Sequence, residues 1–84
     1  MSEELIGTVS HYFAKPQVGV VALTADIKMG EMLHFSGHGV DFRQAVTSMQ
    51  VDHVPVETAS SGTAVALKVE QRVREGTQVF RMTP

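Results

Sequence analysis

The chain has 84 residues, a net charge of −2 and no cysteine. That length allows one domain, 1–84, with a thin core, because so short a chain buries only about 60% of its unfolded surface. Without cysteine, no disulfide or thiolate metal site can reinforce that core, and the mild charge is that of an ordinary globular chain.

The chain opens Met1-Ser2-Glu3-Glu4, which lacks the basic start of a secretory signal, and Leu5-Ile6 is followed at once by Gly7. No run approaches the roughly 20 apolar residues of a membrane span. The expectation is a cytoplasmic protein without membrane contact. Residues 5–13 predict a first strand with Leu5, Val9 and Phe13 on one face and Thr8 and Ser10 on the other. Gly7 inside it predicts a close backbone approach or a bend. Pro16 breaks the run, because it cannot donate to a ladder. Residues 18–24 are apolar almost throughout, which predicts a strand buried on both faces or crossing a sharply curved sheet. Gly30 supplies a reversal, and Leu33 and Phe35 then alternate with Met32, His34 and Ser36, the period of a strand with one apolar face.

In residues 41–51, Phe42 and Val46 share a parity that Met49 and Val51 break, so a bulge or kink is expected near Thr47-Ser48. Residues 55–62 predict one helical turn, started by Pro55 and ended by Gly62. Val65, Leu67 and Val69 then alternate inward, a charged loop runs from Gln71 to Gly76, and residues 77–82 form a last strand. About six short strands between Gly, Pro and Asp turns predict an all-β fold, a small closed antiparallel Greek-key barrel. Closure is favoured because it removes exposed edges.

Five pieces of the chain resemble one known pattern when taken in order. They are Ile6-Gly7-Thr8-Val9, Lys28-Met29-Gly30-Glu31-Met32-Leu33, Val46-Thr47-Ser48-Met49-Gln50-Val51, the run from Ala59 to Leu67, and Val73-Arg74-Glu75-Gly76. They are similar to the second domain of elongation factor Tu and related translational GTPases, from Ile6 to about Met82. His11-Tyr12-Phe13, Gly37-His38, Asp41-Phe42, Ser48-Met49-Gln50 and Pro55-Val56-Glu57 look most like free-standing or appended forms of that barrel. Similar barrels also occur at the ends of collagenase-like peptidases linked to RNA modification. The resemblance implies contacts with transfer RNA or the ribosome. It implies no nucleotide, because the chain has no G-x-x-x-x-G-K-[ST] loop to cradle a phosphate.

The residues themselves offer little chemistry. His34 and His38 are four apart, but on a strand running into a glycine turn that spacing does not converge them on a metal. Ser10 and His11 are neighbours on a strand and point to opposite faces, and no G-x-S-x-G elbow is present. Catalytic residues, metal ligands and cofactors are therefore all expected to be absent. Lys68, Arg72, Arg74 and Arg81 cluster in the last third, where a positive patch could grip an RNA backbone through arginine forks. Tyr12, beside His11 and Lys15 and off the apolar face, is a candidate surface contact. The expected contact set for RNA or a partner is Tyr12, Lys15, Lys68, Arg72, Arg74 and Arg81. The sequence therefore predicts a non-catalytic, translation-factor-like binding module for transfer RNA, the ribosome or a protein. The alternative is a structural protein–protein adaptor for an RNA-modifying or peptidase-like enzyme, without nucleic-acid contact.

Overall fold

The structure is a computed structural model and describes residues 2–83. Ten strands follow one another: β1 (Ser2–Phe13), β2 (Val18–Leu23), β3 (Ile27–Lys28), β4 (Met32–Gly37), β5 (Val40–Ala45), β6 (Met49–Val51), β7 (Val54–Pro55), β8 (Thr58–Ala59), β9 (Ala64–Lys68) and β10 (Gln78–Thr83). Eight form one antiparallel sheet in the order β5-β4-β10-β1-β2-β9-β6-β7, and β3 pairs with β8. The fold is all-β, as the turn spacing predicts. Long connections place β9 beside β2 and β10 between β1 and β4.

The ladder does not close. Its two outer members are β5 and β7, and β7 is two residues long and ends in Pro55, which has no N–H to extend the pairing. A side chain bridges the seam instead. Gln44 on β5 is 5% exposed. Its Nε2 donates to the Lys68 carbonyl at 2.8 Å, and its Oε1 accepts from the Glu70 N–H at 2.7 Å. One buried amide thus satisfies both backbone groups where β9 runs out.

Strand β1 is the hub, pairing with β10 on one side and β2 on the other, with an irregularity in each ladder. The extra residues are Ile6 against β10 and Ser10 against β2. Each shifts the inward parity. Ile6 and Val9 therefore face the core, while Leu5 and Phe13 are 44% and 52% exposed, contrary to the simple alternation. Gly7 is where β1 and β2 nearly touch: a methyl there would lie 2.7 Å from the Ala22 carbonyl oxygen and 2.7 Å from Val21 Cγ1.

Leu33 and Phe35 face inward as expected, and Phe35 stacks on its cross-strand partner Phe42 with centroids 4.9 Å apart. The expected break near Thr47-Ser48 separates β5 from β6. There the chain leaves β4 and pairs with β9. Two expectations are overturned. Residues 55–62 form no helical turn, because Pro55 pairs with Gln50 and Thr58–Ala59 pairs with Ile27–Lys28. Of the two readings of residues 18–24, burial on both faces fails, because strand β2 is covered on one face only. Val21 and Leu23 are buried, whereas Ala22 is exposed and Val18 and Val20 are half-buried.

Candidate binding surfaces

The expected contact residues divide between two regions. The turn after β1 places Lys15 next to the end of β9, since Val18 pairs with Lys68 and the Val69 N–H donates to the Gln17 carbonyl at 2.9 Å. Lys68 is exposed, as are Arg72 and Arg74 on the connection to β10. That connection turns at Arg74, whose N–H donates to the Thr77 hydroxyl at 3.2 Å. Glu70 and Glu75 interleave the cations, and Glu75 lies 3.4 Å from His11. Tyr12 is half-buried and packs against the core.

Arg81 lies about 10 Å further along β10 from this region. Its guanidinium bonds the Glu4 carboxylate, donates to the Asp26 carbonyl at 2.6 Å and lies 3.4 Å from Glu31. The bond it donates to Glu4, with Glu31 adding its charge, pushes the Arg81 pKa further up. Its side chain is 19% exposed, and its two terminal nitrogens tie β1 and the turns on either side of β3 to β10.

A cluster the sequence does not reveal forms on the outer face of β4. His34 Nδ1 lies 2.8 Å from a Glu3 carboxylate oxygen and Nε2 lies 2.6 Å from one of Asp41, so the ring joins β1 to β5. The bond from His34 lowers the Asp41 pKa from its ordinary value. The two ring nitrogens point apart, so the carboxylates cannot share an ion with the ring. His38 sits elsewhere, at the β4–β5 tip with its ring against Gly76.

The third surface is apolar. The outward residues of β2 and β9 are Val18, Val20, Ala22, Ala64, Ala66 and Lys68. Phe13 and Pro16 flank them on one side and Gln50 and His53 on the other, around a groove of about 360 Å³. A second hollow of about 300 Å³ continues it towards Ala64 and Asp52. The sequence signal for this groove was the unbroken apolar run of β2, which reads as a strand buried on both faces or crossing a sharply curved sheet.

No protein-family model matches the chain. An uncharacterized protease of Methanocaldococcus jannaschii is 34% identical over 76 residues, which is 89% of this chain and 19% of the protease. The chain thus spans about a fifth of the length of the curated relative it matches. Among solved structures, it is similar to the C-terminal domain of a Geobacillus thermoleovorans protein assigned to the U32 peptidases. The TM-score is 0.88 and the identity 17%, over 95% of this chain and 93% of that domain. The selenomethionine form of the same domain gives a TM-score of 0.86 at 18% identity, over 90% and 96%.

The chain shares its fold with the C-terminal domain of that peptidase-type protein, and the relatives and structural neighbours found are of this kind, not second domains of translation factors. The recognition as an elongation factor Tu second domain is thereby corrected, and a translation-factor role is left without support. The motifs that carried it are a glycine at a strand crossing and glycine turns before apolar strands. Any small barrel needs those devices.

Proposed function

We propose that this domain is a non-catalytic binding module serving a peptidase-type enzyme of the U32 kind, acting through its outer surface by protein contact. The observation that carries this reading is the uneven match to the M. jannaschii protease, nearly all of this chain against a fifth of that protein. It is the pattern of a module joined to a larger body. The side-chain chemistry agrees. His34 is engaged with Glu3 and Asp41, as Arg81 is with Glu4 and Glu31, so these charged groups are paired within the fold. The interleaved acids at the Lys68 to Arg74 end favour protein over nucleic acid, because RNA affinity needs uncompensated cations.

The test is incubation of the 84-residue chain with casein and, separately, with transfer RNA at low salt. Neither cleavage nor retention is expected. Cleavage of casein would overturn the non-catalytic reading. Retention of transfer RNA that the Arg72→Ala/Arg74→Ala variant loses would turn the reading towards nucleic acid.

A further inference from the structure

Most carboxylates of this chain have a partner. Glu3 and Asp41 flank His34, Glu4 and Glu31 hold Arg81, Glu75 lies against His11, and Asp26 accepts from the Ser61 N–H. Glu57 is different: among the described residues, no cation pairs with it. It stands in the wall of a hollow of about 470 Å³, and among the described residues lining that hollow it alone is charged.

Three segments build the hollow. They are the turn at Met29, the break between β5 and β6 at Thr47-Ser48, and the run from Pro55 to Glu57 that leads into β8. Backbone bonds hold them together. The Met29 N–H donates to the Glu57 carbonyl at 2.9 Å, the Val56 N–H to the Met49 carbonyl at 3.1 Å, and the Gly30 N–H to the Val46 carbonyl at 3.0 Å. A site whose walls are already tied loses less freedom when it is filled. Its apolar side is Met29, Met49, Pro55 and Val56, and its polar side is the Glu57 carboxylate with the Thr47 and Ser48 hydroxyls.

We infer that this hollow binds a lysine side chain of a partner protein. The inference rests on the proposed role as a protein-binding module, and it names the chemistry of one contact. The uncompensated carboxylate sets the sign of the occupant. A lysine lays its four-carbon stem along apolar surface and carries a compact charge at the end. The flexible thioethers of Met29 and Met49 can follow such a stem. Three side chains in the lining can accept hydrogen bonds, and an ammonium has three donors to satisfy. An arginine fork brings five donors in one plane and would leave some unmet.

The probe is a fluorescein-labelled peptide of glycine and serine with one central lysine, followed by fluorescence anisotropy. Three controls replace that lysine with norleucine, with acetyl-lysine or with arginine. The lysine peptide should bind saturably, and each control at least about tenfold more weakly. Glu57→Gln and Met29→Ala should each weaken the lysine peptide, the first by about tenfold or more. Both residues are exposed, so the far-ultraviolet spectra should stay unchanged. Asp52→Asn removes an acid outside the hollow and should leave binding within about twofold. The methyl resonances of Met29 and Met49 should move during the titration while that of Met82 stays in place.

Absence of saturable binding by the native chain, or equal binding by Glu57→Gln, would overturn the proposal. So would equal binding of the norleucine or the arginine peptide. Equal losses for Asp52→Asn and Glu57→Gln would also overturn it, since overall charge and not this hollow would then attract the peptide. Should lysine binding fail while casein stays intact, the binding-module reading survives without it. Casein cleavage with lysine binding intact would sink that reading and leave the site.

Discussion

Two residues show how locally the fold is held. At Gly7 a single methyl would meet backbone on the neighbouring strand. Gly7→Ala should lower stability by about 1–3 kcal/mol, measured by urea unfolding, because the Ala22 carbonyl cannot move aside as a flexible side chain would. A neutral substitution would mean that β1 and β2 separate more easily than their pairing indicates. Asp41 offers a pH test. Its carboxyl is held below the ordinary value of 3.8, chiefly by the bond from His34. A lowered native pKa gives stability that is fully present above the ordinary value and lost as pH falls through the native one. Urea unfolding followed into acid should therefore show a decline that Asp41→Asn partly lacks. Identical acid profiles for the two proteins would remove the bond from the account. His34 shows the limit of a linear reading: its spacing from His38 was visible, but Glu3 reaches it only across β10.

At the scale of elements, what was legible followed from period. Leu33 and Phe35 lie on a strand without irregularity, so alternation placed both inward. The break between β5 and β6 was legible because Val46 and Met49 disagree in parity, and both are buried. Strand β1 was misread for the converse reason. Its extra residues, Ile6 and Ser10, are set by the partners β10 and β2; Gly7 signals a bend beside the first, and no local signal marks the second. The segment 55–62 carries the turn chemistry of a short helix, yet tertiary pairing with β6 and β3 overrides it.

The seam is where sequence could have said more. Gln44 shares the parity of Phe42 and Val46, and a polar residue in an apolar register marks a buried backbone that needs a partner. Gln44→Leu should destabilise the domain by about 1–3 kcal/mol. It should also accelerate amide exchange at Glu70 beyond the global change. Exchange at Glu70 rising only with global unfolding would show that the seam is held by something else.

For the whole molecule, the order of short strands gave the barrel-like fold, but the same order misdirected the family. A glycine at a strand crossing and a glycine turn before an apolar strand are demands of small curved sheets, and unrelated functions share them. What distinguishes this domain is its outside, and there the sequence held a clue in β2. A strand apolar on both faces within a domain that covers only one leaves Val18, Val20 and Ala22 on the outside.

The central claim is that the domain contributes binding and no bond-making chemistry to a larger peptidase. It is tested most directly on the M. jannaschii protease, assayed on denatured casein with and without the segment that matches this chain. The account predicts that removing the segment raises KM by about tenfold or more and leaves kcat within about twofold. A truncated enzyme whose kcat collapses at unchanged KM would contradict it, because the segment would then be acting on the reaction itself.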